Sequence, residues 1–209
     1  MVGGRPLSVN WIAQNVQALV QAWEPGSLGG RALANILAGK VNPSAKLPIS
    51  IPRHSGQIQM IYNHKPSQYF HKYIDGPSTP LYPFGFGLSY TRFAYSSLKL
   101  SHTRISDKDS FTASIELTNV GDREGTEVVQ LYIRDIYSSA TRPVKELKDF
   151  ARVTLKPGEK KTVTFTVTPD KLAYWNRNMQ YGVEKGEFEI MIGSSSQDKD
   201  LKKVKMEVL

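Results

Sequence analysis

Hydrophobic positions change their spacing once along this chain. Between residues 10 and 23 the apolar residues Ala13, Val16, Leu19, Val20 and Trp23 recur at helical intervals. Asn10 stands in the N-cap position, and Pro25-Gly26 ends the run. A shorter helix is predicted over about 30–38, turning Leu33, Ile36 and Leu37 inward, with Gly39 just past its end. Residues 46–51 read as a short strand bracketed by Pro43 and Pro52, and Met1-Val2 as the stub of an earlier one. Two helices and one strand are too few to close a doubly wound sheet, so residues 1–52 read as an incomplete α/β unit.

After Tyr95 the period switches to two. Phe111, Ala113, Ile115 and Leu117 point one way, and Thr112, Ser114, Glu116 and Thr118 the other. Val129, Leu131 and Ile133 repeat the alternation. Val163, Phe165 and Val167 do so against a threonine ladder, then Phe188, Ile190 and Ile192, then Val204, Met206 and Val208. Turn-forming residues at 119–122, 156–159 and 184–186 separate the runs. Roughly seven short strands at this spacing predict an immunoglobulin-like sandwich of the fibronectin type III kind over residues 93–209.

Between the two patterns, residues 53–92 are rich in proline, tyrosine and histidine and have little periodicity. The stretch PLYPFGFGLSYTRF at 80–93 fits neither helix nor alternating strand. Proline fixes φ and glycine permits positive φ, so its backbone follows a set, irregular path. Its aromatics favour burial, so the segment is expected to be a linker clamped between two bodies.

Bulk composition changes this picture little. The chain has 209 residues, 40% of them hydrophobic and 22% charged, as in an ordinary globular protein. No apolar stretch reaches the length of a membrane helix, and the N-terminus has neither a basic nor an apolar leader region. The absence of cysteine excludes disulfides and thiolate metal sites. A net charge of +8 raises the question of nucleic acid. Past residue 90, however, 20 basic and 17 acidic side chains alternate along predicted strands, as on a solvated sheet face. Only 199–205 clusters basic residues, and acids dilute it, so neither a nucleic-acid nor a membrane partner is expected.

Ordered motifs then carry a resemblance. They are Gly4-Arg5-Pro6-Leu7, Ala22-Trp23-Glu24-Pro25-Gly26 with Gly29-Gly30-Arg31-Ala32-Leu33-Ala34, and Asn42-Pro43-Ser44-Ala45-Lys46-Leu47-Pro48. In the second half come GDREGTEVVQLY at 121–132, Arg142-Pro143-Val144-Lys145-Glu146-Leu147, Tyr174-Trp175-Asn176 and Gly193-Ser194-Ser195-Ser196. Together with the 80–93 stretch they resemble the C-terminal portion of glycoside hydrolase family 3, the β-glucosidases and β-xylosidases. Ala45 stands where that pattern more often has glycine, and Glu24 where it tends to carry an aromatic.

The resemblance implies an α/β sandwich domain, here partial over 1–52, a linker over 53–92 and a fibronectin type III-like domain over 93–209. It implies a parent that removes terminal β-linked glucose with retention, using no cofactor and no metal. Such chemistry needs an attacking carboxylate and a carboxylic acid about 5–5.5 Å apart. The family's nucleophile lies in an SDW-like motif on a barrel, and no such motif occurs here. Its acid/base lies upstream of the position matching Met1. Catalytic residues are therefore expected to be absent from this chain, which alone is expected to be inactive. Glu124-Gly125, after Asp122-Arg123, mimics the acid/base string but falls between two predicted strands and reads as a charged hairpin.

Before residue 91 the carboxylates are Glu24, read as solvent-facing, and Asp75, a turn residue by composition. Polar and aromatic loop residues are where sites tend to lie, so Tyr69, Tyr73 and Asp75 are the substrate-binding candidates. Trp23 reads as helix core, while Trp11 and Trp175 could also stack on sugars. His54, His64 and His71 share the linker without the spacing of a metal motif. Gly26–Gly30 imitates a phosphate cradle without its lysine. The expected partners are the upstream catalytic portion of the parent, a β-linked oligosaccharide through that parent, and a second copy of the chain. The parent is expected in the periplasm or outside the cell, the chain as it stands in the cytoplasm. The rival reading is a non-enzymatic carbohydrate-binding or protein-interaction module on a fibronectin-like fold, against which the Thr-, Lys- and Glu-rich strand faces count.

Overall fold

The computed structural model describes residues 1–57, 60–66, 74 and 76–209. Its second half is a two-sheet sandwich. One sheet is built on β4 (Phe111–Asn119), which pairs antiparallel with β7 (Lys160–Val167) on one edge. Its other edge takes two short strands, β1 (Phe93–Tyr95) and β2 (Lys99–Leu100). The second sheet has the order β3-β11-β10-β5-β6, formed by Arg104–Ile105, Leu201–Val208, Gly186–Gly193, Gly125–Asp135 and Glu146–Leu155. Only β3 runs parallel to its neighbour β11. A short hairpin, β8 (Tyr174–Trp175) with β9 (Tyr181–Gly182), stands apart.

The alternation read from the sequence places the core correctly. Phe111, Ala113, Ile115 and Leu117 are all buried, as are Val163, Phe165 and Val167 opposite them in the same sheet. They face Val129, Leu131, Ile133, Phe188, Ile190 and Ile192 from the other sheet in one continuous cluster. Each such side chain contributes about 1.5–3 kcal/mol by leaving water. The strand β6 has no such signature: Phe150 is 60% exposed and its inward residues are sparse.

Residues 119–125 are not the hairpin expected of them. They carry the chain from β4 in one sheet to β5 in the other, and Gly121 and Gly125 let it pass close to Thr91. Asn119 organises this crossing. Fully buried, it donates to the carbonyls of Arg123 and Leu155 at 2.8 and 2.9 Å. Its Oδ1 accepts from the Thr91 hydroxyl at 2.6 Å and from the Gly121 N–H at 3.1 Å. One side chain thus joins the end of the linker to three strand ends.

The first half departs further from expectation. Helix α1 covers only Asn10–Asn15, and the chain is extended from Val16. Val9, not Asn10, caps it; the Asn10 amide instead donates to the Arg53 carbonyl at 2.6 Å. The remainder of the predicted helix is drawn out by backbone bonds to the N-terminus: Ala22 N–H to Met1 at 2.8 Å, Gly3 N–H to Trp23 at 2.9 Å. Val16, Ala18, Val20 and Ala22 also alternate, so the same residues satisfy both periods, and tertiary pairing decides. Trp23 is therefore not helix core. It is half-buried, with φ of 54°, a left-handed backbone uncommon for an aromatic.

Helix α2 spans Gly29–Leu37 and ends on Gly39 at φ 69°. Leu33 and Ile36 are half-buried, but Leu37 is exposed, contrary to expectation. Residues 46–51 form no regular strand, because Pro48 cannot donate a ladder bond. Backbone bonds join them to the 80–93 stretch at two points, Leu47 with Phe86 and Gly85, and Ile51 with Tyr82 and Leu81, and the Lys46 side chain adds a third at Gly87.

Candidate functional site

Tyr69, Tyr73 and Asp75 lie outside the described residues, as does His71. Glu24 is exposed, with its carboxylate beside Gly4. What the structure does build is a junction in which the first half covers the outer face of the second sheet. On that face β5 is buried on both sides, so Gln130 and Tyr132 are enclosed as fully as the core residues beside them. Tyr62 stacks on Phe84 with centroids 4.2 Å apart and meets Tyr132 edge-on at 5.9 Å. Met191, Leu201 and Leu147 complete this second apolar cluster.

Polar groups in the junction are paired. Gln130 donates to the Gly85 and Ser194 carbonyls at 3.1 and 2.7 Å, and its Oε1 accepts from the Tyr132 hydroxyl at 2.5 Å. Gly85, at φ 78°, lies so close that a Cβ there would sit 2.1 Å from that oxygen. The Ser196 N–H donates to Phe84 at 3.0 Å. Lys46 reaches Glu127 at 2.9 Å and the Gly87 carbonyl at 2.9 Å. Asn42 bridges three segments, donating to the Glu124 carbonyl and accepting from Ser89 and the Tyr90 N–H. These contacts join the 80–93 stretch to residues 42–51 on one side and to strand β5 and the residues just past β10 on the other. Sequence reasoning missed the receiving surface, Gln130, Tyr132 and Met191, because they sit on the face of a strand that alternation assigns to solvent.

Two cavities flank the junction. The larger, about 430 Å³, lies between α2 and the β4–β5 crossing and is lined by Lys40, Asn42, Tyr90, Arg123, Glu124 and Thr154, among others. The smaller, about 160 Å³, is lined by Pro66, Asp135, Tyr137, Thr141, Arg142 and their neighbours. Burial pushes the Asp135 carboxyl up to about 6; the Arg142 charge opposes this, and Glu184 and Glu146 reinforce it. The Arg142 guanidinium pairs with Glu146 and lies 4.4 Å from the Tyr174 ring. Glu184, held below its usual range by hydrogen bonds from Ser139 and Tyr174, anchors the same corner.

Among the described residues each cavity carries one carboxylate, Glu124 in the larger and Asp135 in the smaller. Retaining hydrolysis needs two across one substrate. Among the described residues no group of three or more metal-ligating side chains is gathered. The arrangement can therefore brace and position neighbouring structure, and among the described residues neither cavity brings two carboxyl groups together.

Comparison with known proteins fits this geometry. The family model described as the glycosyl hydrolase family 3 C-terminal domain matches residues 1–90, and that of a fibronectin type III-like domain matches 127–196. The periplasmic β-glucosidase of Salmonella typhimurium is 45% identical over 206 residues, covering 94% of this chain and 27% of the relative. A β-xylosidase of Formosa agariphila is also 45% identical, covering 100% and 29%. Among solved structures, a β-glucosidase from Erythrobacter marinus superposes with TM-score 0.95 at 43% identity, covering 100% of this chain and 27% of the other. A β-glucosidase from Listeria innocua in complex with glucose gives 0.92 at 37%, covering 99% and 30%. The chain spans under a third of the length of these relatives. It belongs to glycosyl hydrolase family 3 and corresponds to the family's C-terminal domain followed by its fibronectin type III-like domain.

Proposed function

We propose that the chain is the C-terminal accessory part of a retaining β-glucosidase, bracing the catalytic portion and walling its site without doing the chemistry. The observation that carries this reading is the single carboxylate that the described residues bring to each cavity, in a chain whose relatives are more than three times as long. Residues 1–52 supply part of the α/β domain, 53–92 the clamped linker and 93–209 the sandwich. Tyr69, Tyr73 and Asp75 contact substrate from the linker. The partners are the upstream catalytic portion, a β-linked oligosaccharide bound through it, and a second copy. The working compartment is the periplasm or the cell exterior, as the name of the Salmonella relative suggests. The parent removes terminal β-linked glucose, and a β-xylosidase relative is equally similar.

Purified chain assayed on aryl β-glucosides and β-xylosides tests this. The expected result is no turnover above a mock preparation. Turnover lost in Asp75→Asn or Glu24→Gln, but kept in an exposed-surface control such as Lys185→Ala, would overturn it.

A further inference from the structure

The β8–β9 hairpin carries chemistry that neither the clamp nor the core uses. Trp175, Met179 and Tyr181 are 62%, 75% and 56% exposed on a sandwich whose own core is closed. The loop that presents them is rigid. Asn176 Oδ1 accepts the N–H groups of Asn178 and Gln180 at 2.9 and 3.0 Å, and Met179 takes a left-handed φ of 58°. Beneath it Tyr174 is buried under the Arg142 guanidinium, and Ser139 links its hydroxyl to Glu184. Three large apolar side chains thus stand in water on a loop whose backbone is held by hydrogen bonds, which avoids part of the ordering cost of binding.

Two features say what fits. The Trp175 and Tyr181 rings lie 5.4 Å apart with their planes inclined 53°. Arg177, Asn178 and Gln180 are exposed on the same loop, so flat apolar faces stand beside hydrogen-bond donors. A β-linked pyranose has that composition: its axial C–H faces stack on aromatic rings, and its equatorial hydroxyls take bonds from amides and guanidinium.

We propose that this hairpin is a binding site for a soluble β-linked glucan chain, with Trp175 and Tyr181 as its stacking platform. The choice of a β-linked glycan rests on the glycosidase reading above, but the site itself needs no turnover.

Affinity electrophoresis of the 209-residue chain in gels containing laminarin, with xylan and starch gels for comparison, tests the site. Retardation in laminarin is expected, weaker in xylan and absent in starch. Trp175→Ala and Tyr181→Ala should each weaken it at least about tenfold. Laminarin should also change the tryptophan fluorescence of the wild type and not that of Trp175→Ala, which retains Trp11 and Trp23. A matching melt for that exposed-site variant shows that the fold is intact. Unretarded migration, retardation that survives Trp175→Ala, or equal retention on starch would overturn the proposal. So would Trp175-dependent self-association without glycan retardation. The aryl-glycoside assay reads out separately: turnover there would sink the accessory reading and leave a retarded, Trp175-dependent complex standing.

Discussion

Lys46 and Glu127 meet at 2.9 Å with side chains only 12% and 7% exposed, an ion pair sealed between the first half of the chain and strand β5. Desolvating two charges offsets much of their attraction, so the pair specifies where the halves dock more than it stabilises them. Removing one partner is different, because the other stays buried and unpaired. Lys46→Met should cost about 3–5 kcal/mol in urea unfolding of the full chain. The double variant Lys46→Met/Glu127→Leu should recover most of that loss. A single variant that costs no more than an exposed pair would show that water reaches the contact.

Gly85 offers a contrast within one residue type. It and Gly158 both sit at positive φ, 78° and 73°. A Cβ at Gly158 meets nothing within 4 Å, whereas at Gly85 it would collide with Gln130. Gly158→Ala should therefore cost only the left-handed backbone penalty, about 1–2 kcal/mol. Gly85→Ala should cost about 2–4 kcal/mol, since displaced Gln130 leaves the Gly85 and Ser194 carbonyls and the Tyr132 hydroxyl without their partner. Urea melts of the two variants, side by side, would separate the backbone term from the junction term.

The two halves were unequally legible for a physical reason. In the sandwich one face of each strand is core, so Phe111 to Leu117 and Val163 to Val167 write their burial as strict alternation. β6 escapes because its inward positions include Glu146 and Lys148, half-buried by salt bridging rather than by apolar packing. In the first half the apolar residues at 16–23 fit two periods, and only the backbone bonds to Met1 and Gly3 select the extended one. The prolines and glycines of 80–93 mark an irregular backbone path, but the residues it packs on carry no such mark. Gln130 and Tyr132 look like the solvent face of a strand until the linker covers them.

Asp135 makes the stability of the chain depend on pH in an unusual direction. Asp135 is buried, and among the described residues one carboxyl oxygen, Oδ2, has no hydrogen-bond partner. Its folded pKa of about 6 lies above the unfolded value, so the folded state holds the proton more tightly. The contribution is complete below pH about 4 and is lost as pH rises through about 6. Asp198 and Glu184 are shifted downward and lose their stabilisation only as the medium becomes more acidic. Asp135→Asn mimics the protonated form, so it should stabilise the chain by about 1–2 kcal/mol at pH 7 and leave it nearly unchanged at pH 4. Melts of both proteins across that range would check the sign; a variant less stable at pH 7 would mean that the charged carboxylate is the favoured form.

The last expectation concerns the surface of the first half. Among residues 1–50 only Gly29 and Ser50 are buried, while Val2, Trp11, Val16, Leu28, Leu37 and Val41 are exposed. Apolar side chains scattered singly are ordinary, but this density on a segment with few buried residues marks a contact surface. The sandwich needs no such help for its core, which is closed by its own strands, although without residues 1–92 Tyr132, Met191 and Leu201 would lose their cover. A segment spanning 93–209 should therefore melt cooperatively, at a lower temperature than the full chain, and bind an apolar dye. Phe165→Ala in that segment should cost about 3–5 kcal/mol, enough to unfold a marginal domain. The full chain should self-associate through its first half as concentration rises, and Trp11→Ser with Leu37→Lys should reverse this, because neither side chain supports the fold. Light scattering across a concentration series distinguishes the outcomes. A full chain that stays monomeric, with the same dye response as the double variant, would mean that this surface is satisfied by water and recruits nothing.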